Sequence, residues 1–163
     1  TEIGNGACAS CRSLTNLDLP ESLTSIGKWA FEQCKSLQHI RIPKGVTIIE
    51  EFTFVNCTAL TSIELPDGLT TIGREAFYGC KNLSSIHIPD SVTSMEEGVF
   101  NGCEKLTNIQ LPEGVFHELQ AEKYPRAGFN AVTQIMAKRG KRQHRLSVFM
   151  YNKADTTLQQ NVR

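Results

Sequence analysis

Cysteine and histidine are the side chains in this sequence that could carry metal, redox or nucleophilic chemistry. Cys8 and Cys11 form a C-x-x-C pair, but a zinc or thioredoxin-like site would need a second ligand pair or a redox setting, and the sequence shows neither. A Ser/His/Asp arrangement, a Gly-rich phosphate loop and an H-E-x-x-H motif are also missing. We therefore expect a protein that is not an enzyme and that uses no cofactor and no metal.

The cysteines instead mark the period of an internal repeat. Five of the six recur every 23 residues, at Cys11, Cys34, Cys57, Cys80 and Cys103. Written once, the unit is I-G-x-x-A-F-x-x-C-x-x-L-x-x-I-x-I-P-x-x-V-T-x, and its length lies within the range of about 20 to 29 residues expected of leucine-rich repeats. Cys8 stands where later units have Phe, so the C-x-x-C pair is a coincidence of two core positions. We expect buried, reduced thiols that act as small hydrophobes.

Each unit predicts one short strand and two connecting pieces. The L-x-x-I-x-I piece alternates as a half-buried strand should, and the Pro after it ends the ladder because it has no N–H. Stacked side by side, these strands form a parallel sheet along one face of a solenoid. The V-T-x-I piece is β-branched and should be extended, whereas the A-F-x-x-C piece should be a single helical turn.

This pattern resembles the BspA-like leucine-rich repeats, and the resemblance covers residues 3 to about 115. It implies an α/β-type repeat solenoid, a leucine-rich-repeat coil stack with a parallel β-sheet face. It also implies a protein-recognition or adhesion-type function, with the sheet as the usual binding surface and another protein, not a small molecule, as the partner. A cell-surface or secreted location would fit the resemblance, although the chain shows no targeting signal.

Ten residues lie between the inward columns and are predicted to face outward on that sheet. They are polar, mixed in charge and without aromatics: Asn16, Asp18, His39, Arg41, Ser62, Glu64, Ser85, His87, Asn108 and Gln110. They form either a protein-binding face or a set of ordinary solvated strand positions, since exposed polar residues are the default. His39 and His87 would be about 9.6 Å apart, too far for one zinc ion to bind both.

After Gly114 the repeat stops, which divides the chain into residues 1–114, a solenoid of about five units, and residues 115–163, a basic helical C-terminal cap or tail. Helical spacing predicts one helix from about Val115 to Tyr124 and a second from Phe129 to Arg139. These helices could cover the apolar end of the last unit. The chain enters its first unit part-way, so further coils or a cap are expected to precede Thr1.

The net charge of zero conceals a division between the two parts. Residues 1–114 have a formal charge of −6 (8 Lys+Arg, 14 Asp+Glu), and residues 115–163 have +6 (9 Lys+Arg, 3 Asp+Glu). Much of the positive charge lies in one basic run, namely Lys138, Arg139, Lys141, Arg142 and Arg145. The simplest interpretation is a solvated segment that folds back onto the acidic solenoid.

Two other interpretations of the basic run remain open. It could be a nuclear-localisation or nucleic-acid patch, although no aromatic stacking platform accompanies it. It could also belong to a basic amphipathic helix that binds calmodulin or an anionic membrane. In either case the solenoid would be only a carrier, which gives an alternative to recognition by the sheet.

Overall fold

The computed structural model describes residues 1–112 and Val115, which form a solenoid of stacked 23-residue coils. We number the coils by their column cysteine, from Cys11 in the first to Cys103 in the fifth. The strands are only two or three residues long, and in chain order they are β1 (Glu2–Ile3), β2 (Asn16–Leu17), β3 (Ser25–Ile26), β4 (His39–Arg41), β5 (Ile48–Ile49), β6 (Ser62–Glu64), β7 (Thr71–Ile72), β8 (Ser85–His87), β9 (Ser94–Met95) and β10 (Asn108–Gln110).

Two parallel sheets run along the solenoid. In the first, β2, β4 and β6 are hydrogen-bonded in that order, β8 pairs with β10, and β6 lies beside β8. In the second, β5, β7 and β9 are bonded in order, β1 pairs with β3, and β3 lies beside β5. Ile40 pairs with Ile63 and Ile72 with Met95, so residues 23 apart meet on neighbouring coils. The predicted parallel sheet and the extended V-T-x-I piece are confirmed.

A proline turn connects the two sheets within each coil. The carbonyl of Pro43 accepts the N–H of Val46 at 3.1 Å, and Pro20, Pro66 and Pro89 accept the N–H three residues later in the same way. Because proline has no N–H, the ladder of the first sheet stops at it. Its carbonyl is still an acceptor, and it closes the turn that leads the chain to the second sheet.

The core consists of columns in which one residue type repeats from coil to coil. Leu37, Leu60 and Leu83 are fully buried, as the repeat pattern predicts. The Phe column forms a continuous stack with ring centroids 5.4, 5.5 and 5.8 Å apart and planes within 8° of parallel; it contains Phe31, Phe54, Phe77 and Phe100. These separations lie in the range of favourable aromatic pairs, so each coil is joined to the next by ring packing as well as by backbone hydrogen bonds.

The A-F-x-x-C segment does not form the predicted helical turn. In an α-helix every N–H would bond the carbonyl four residues back. Here the amides of Trp29, Phe31 and Gln33 instead donate to carbonyls of the third coil, at 3.3, 2.9 and 2.8 Å. The residues between them donate to the carbonyl three residues back. The segment therefore serves as a third ladder between coils, and the prediction of a helical turn is wrong.

Each coil has left-handed backbone at two positions in or beside this ladder. The residues with positive φ form two columns at the 23-residue period, Gly6, Trp29, Phe52, Glu75 and Gly98, and Ser10, Gln33, Asn56, Gly79 and Gly102. A positive φ is rare for residues such as Trp and Phe. For that reason the residue types of the second coil gave no sign of this turn, and in the third coil only Asn56 is of a type that favours it.

Beyond Pro112 the structure describes only Val115, whose side chain is 1% exposed and packs in the core. The remainder of the predicted helix at Val115 to Tyr124, the whole of the predicted helix at Phe129 to Arg139 and the extent of a C-terminal cap lie outside the described residues. Among the described residues, no helix has the length and apolar character needed to cross a membrane.

Candidate functional site

The first sheet presents a polar surface that we call the sheet face, made of the ten outward residues named above, from Asn16 to Gln110. Each of them is exposed except Ser62, which is half-buried. Strand alternation produces this arrangement, since in β4 His39 and Arg41 are exposed while Ile40 between them is 1% exposed. The structure thus brings the predicted residues together as two parallel columns of side chains.

Hydrogen bonds link side chains of the sheet face from coil to coil. The Nδ1 atom of His39 lies 2.9 Å from the Ser62 hydroxyl, and its Nε2 atom lies 3.7 Å from a Glu64 carboxylate oxygen. The Nδ1 atom of His87 lies 2.8 Å from the side-chain oxygen of Gln110, so Nδ1 must carry the proton there. Each histidine contacts the next coil, not the other histidine. These contacts restrict the side chains before any partner arrives, which lowers the entropy cost of binding.

Arg41 supplies a fixed positive charge on the sheet face. Its guanidinium forms an ion pair with Glu21, which lies just outside the face. The hydrogen bond that Arg41 donates to Glu21, together with the negative charge of Glu21, raises the pKa of Arg41, so the guanidinium stays protonated at all ordinary pH values. Both side chains are more than half exposed, so the pair adds little to stability and mainly orients the charge.

A shallow groove of about 360 Å³ opens beside the sheet face between the second and third coils. Its lining includes Arg41 and Glu64 of the face and, beyond them, Lys44, Leu65 and Asp67. Lys44 and Asp67 are exposed and make no ion pair within the described part of the chain. A cation, an anion and a half-buried aliphatic side chain are therefore all available to a ligand at this point.

Sequence reasoning did not select Lys44 or Asp67. A signal was present, since a charged residue follows every strand Pro by one position in the first four coils, at Glu21, Lys44, Asp67 and Asp90. The groove itself could not be read from the repeat. Gly68 lines it, and an added Cβ there would meet nothing closer than the Lys44 backbone oxygen at 3.9 Å.

The buried cysteines form a hydrogen-bond ladder and not a reactive site. The thiol of Cys57 donates to the carbonyl of Phe31 at 3.1 Å, and Cys34, Cys80 and Cys103 make the equivalent bond to the residue 26 positions earlier. Burial raises the pKa of all four thiols, to about 11 for Cys34 and about 12 for Cys103. They therefore remain protonated at neutral pH, as donation requires.

The prediction of buried, reduced thiols is confirmed for these four cysteines and is wrong for the first coil. All six cysteines are free, but Cys8 is half-buried and Cys11 is exposed. In the described residues, no three His, Cys, Asp or Glu side chains form a group that could hold a metal ion. The predicted basic run, Lys138 to Arg145, lies outside the described residues.

Comparison with protein families identifies the repeat. The BspA type leucine rich repeat region matches residues 1–121 in six copies. This chain belongs to that family. Leucine-rich-repeat proteins generally serve as non-enzymatic binding scaffolds, and the family suggests a protein-interaction or adhesion-type module. A search among curated proteins gave no match.

Solved structures of bacterial leucine-rich repeat proteins resemble this BspA-type chain. A leucine-rich repeat protein from Bacteroides ovatus is 41% identical with a TM-score of 0.68, and the match covers 70% of this chain and 30% of that one. A leucine rich cell surface protein from Faecalibacterium prausnitzii is 38% identical with a TM-score of 0.67, covering 74% and 31%. The leucine rich repeat protein of T. pallidum is 27% identical with a TM-score of 0.64, covering 82% and 76%. The BspA-type chain thus spans under a third of the Bacteroides ovatus protein.

Proposed function

We propose that the sheet face of this BspA-type repeat protein recognises another protein in a protein-interaction or adhesion-type role. The observation that carries the proposal is the alignment of the ten polar side chains on five parallel strands, with contacts between coils that fix His39, Arg41 and His87. Five strands span about 19 Å from first to fifth. That length suits a recognition surface larger than a small-molecule site.

The groove supplies the anchor for such a partner. Leu65 is half-buried in its floor, and Lys44 and Asp67 at its rim make no ion pair in the described part of the chain. An aliphatic side chain of the partner would bury against Leu65, while its charged neighbours pair with the rim. A central apolar contact surrounded by polar contacts is the usual anatomy of a protein interface.

A relative supports a proposal for the location. The Faecalibacterium prausnitzii protein is described as a cell surface protein, and it shares 38% of its aligned residues with this chain. We extend that setting to the present chain, where the sheet face would meet a protein outside the cell. No nucleic acid and no small-molecule substrate is required by this role.

Affinity capture with three matched baits tests the proposal. The baits are the parent chain, the triple variant Arg41→Ala/Glu64→Ala/His87→Ala, and the control variant Arg74→Ala/Thr93→Ala/Glu97→Ala, which alters exposed residues of the same solenoid away from the sheet face. The triple variant should lose the captured partner by at least about ten-fold, since interfaces depend on a few residues. The control should retain it, and circular dichroism should show all three baits folded.

The alternative, in which the basic run does the binding, makes the opposite prediction. A partner held by exposed charges is lost steeply as salt is raised, whereas a packed sheet-face contact weakens less. A folded chain ending at Gln120 lacks the basic run and should still capture the partner. Loss of the partner from that chain alone, with the triple variant unaffected, would contradict recognition by the sheet face.

A further inference from the structure

Trp29 lies on the A-F-x-x-C ladder of the second coil, away from the sheet face. Its indole stacks on the ring of Phe52 in the third coil, with centroids 5.6 Å apart and planes 3° from parallel. Trp29 is 40% exposed, and both residues have left-handed backbone, with φ of 56° and 59°. Large aromatic residues are uncommon in that conformation, so the pair is an unusual feature of this solenoid.

The indole of Trp29 is stacked on one side, and the residue in register on its other side has no side chain. Phe52 covers the face toward the third coil. On the other side the residue in register is Gly6 of the first coil, where an added Cβ would have nothing within 4 Å. At Gly98, in the same column, an added Cβ would instead meet the Glu75 side chain at 2.9 Å. Trp29 is therefore the last aromatic side chain of the column toward the first coil, and we call its indole surface on that side the open face.

Acidic residues adjoin Trp29 along the backbone ladder. The Trp29 N–H donates to the Glu51 carbonyl at 3.3 Å, and the Glu32 N–H donates to the Trp29 carbonyl at 3.0 Å, so the backbones of both acidic residues contact that of Trp29. Lys28 pairs with Glu51 at 3.1 Å, whereas the Glu32 carboxylate meets only the side-chain amide of Gln33, at 3.3 Å, in the described part of the chain. Glu50 adds another negative charge next to Glu51.

An open indole face on a residue adjoined by acidic residues is suited to a cation. Tryptophan is the best aromatic partner for a cation, and the flat guanidinium of arginine stacks on it while its N–H groups remain free to bind carboxylates. The net charge of the solenoid also favours a cationic ligand, because residues 1–112 carry a formal charge of −5 (8 Lys+Arg, 13 Asp+Glu). The ligand chemistry is thus an arginine-rich basic segment.

We infer that the open face of Trp29 is the docking site of the chain's own basic run, with one of its arginines stacked on the indole and neighbouring cations facing Glu32 and Glu51. The run supplies the required chemistry, namely Lys138, Arg139, Lys141, Arg142 and Arg145, and residues 115–163 carry the +6 that complements the solenoid. Reach is sufficient, because Trp29 is about 14 Å from the fifth coil along the solenoid, and Lys138, which is 23 positions after Val115, could lie up to about 75 Å from it.

Docking at Trp29 would hold the basic run away from the sheet face. The recognition surface would stay open, and the arginines would be occupied by the solenoid and not by nucleic acid or a membrane. The inference is independent of the proposed function, since it concerns a different edge of the coil stack.

Fluorescence of the full chain tests this docking directly, because Trp29 is the only tryptophan in the sequence. Quenching by acrylamide, which is uncharged, measures how far the indole is covered. In the variant Arg139→Gln/Arg142→Gln/Arg145→Gln the quenching constant of Trp29 should rise at least about two-fold, because the cation that covers one ring face is lost. The parent chain in about 0.5 M salt should show the same rise.

A matched control removes the same charge from the solenoid. The variant Arg12→Gln/Lys35→Gln/Lys105→Gln neutralises three exposed cations there. Its quenching constant should equal that of the parent. Equal quenching of the parent and the tail variant at low salt would overturn the inference. Quenching of the parent that increases on dilution would overturn it too, since the covering segment would then come from a second copy of the chain.

Discussion

The ring of Phe77 is the side chain on which the packing of the core depends most directly. It is fully buried, and it stacks on Phe54 at 5.5 Å and on Phe100 at 5.8 Å. Removing it would leave a cavity in three successive coils at once. Because Phe54 is also held by its stack on Phe31, it cannot collapse far into the space, and the cost should be near the upper end for a core aromatic residue.

We predict that Phe77→Ala lowers the free energy of unfolding by about 3–5 kcal/mol. Tyr78→Ala is the matched control, because Tyr78 is the next residue, is also aromatic and is 40% exposed; it should change stability by less than about 1 kcal/mol. Urea unfolding followed by circular dichroism measures both. Equal effects of the two substitutions would show that the Phe column does not hold the core together.

The buried thiols should make stability fall at alkaline pH. Burial raises their pKa values, whereas the pKa of a thiol in the unfolded chain is about 8.5. Below that pH the thiols are protonated in both states, and their full stabilisation is present. Above it the unfolded state loses thiol protons that the folded state keeps. The stabilisation is therefore lost as the pH rises toward the pKa values of the folded state, about 11 for Cys34 and about 12 for Cys103. Each thiol contributes a slope of about 1.4 kcal/mol per pH unit in that window.

Cys57→Ser tests this linkage, because a serine hydroxyl can still donate to the Phe31 carbonyl but does not titrate. We predict that the variant loses stability less steeply than the parent between about pH 9 and 10.5, by about 1.4 kcal/mol per pH unit. Urea unfolding at a series of pH values gives the two slopes. Identical slopes would mean that ionisation of Cys57 does not oppose folding.

At the residue scale, the sequence predicted which side chains are buried but not which hydrogen bonds they make. The 23-residue period correctly placed Leu60, Phe77 and Cys80 in the core, because residues one period apart must occupy equivalent positions. It did not reveal that a buried Cys donates a hydrogen bond. The acceptor lies 26 residues earlier, and its distance depends on how two coils are stacked.

At the scale of elements, the A-F-x-x-C ladder is where prediction failed. Its spacing of Ala, Phe and Cys fits one turn of helix, yet the amides of Phe31 and Gln33 bond to the next coil. The left-handed columns contain Gly in several coils and residues such as Trp29 and Gln33 in others, so the second coil alone does not indicate the conformation. The coincidence of Gly6 with Gly98, and of Asn56 with Gly79 and Gly102, at the repeat period could have indicated it.

The third and fourth coils approach each other closely at Gly73, in the turn that follows the second sheet. A Cβ added at Gly73 would lie 2.7 Å from the backbone N of Glu51 and 2.9 Å from the backbone carbon of Glu50. Both atoms belong to the third coil, which cannot move without breaking its own ladder. By comparison, a Cβ at Gly68 would meet no atom closer than 3.9 Å.

We therefore predict that Gly73→Ala lowers the free energy of unfolding by about 2–3 kcal/mol, as overpacking against fixed atoms does. Gly68→Ala should change it by no more than about 0.5 kcal/mol. Thermal and urea unfolding of the two variants beside the parent make the comparison. A melt of Gly73→Ala that matches that of Gly68→Ala would contradict the close approach of the third and fourth coils.

At the scale of the whole molecule, the repeat determines both the fold and the form of the candidate site. Each coil contributes one pair of outward residues to the sheet face, and the stacking of coils converts a 23-residue period into two columns of side chains. The positions of these residues were predictable from strand alternation. The groove was not, because it depends on how far Leu65 is buried where the second and third coils meet, and the repeat pattern does not give that.

Hydroxyl-radical footprinting of the chain with its captured partner tests recognition by the sheet face most directly. We predict protection of His39, Arg41 and His87 in the complex, and unchanged oxidation of Tyr78, which lies on the ladder away from the sheet face and is 40% exposed. The free chain provides the reference for each side chain. Protection of Tyr78 with His39, Arg41 and His87 as reactive as in the free chain would contradict the account, because the partner would then bind a different side of the solenoid.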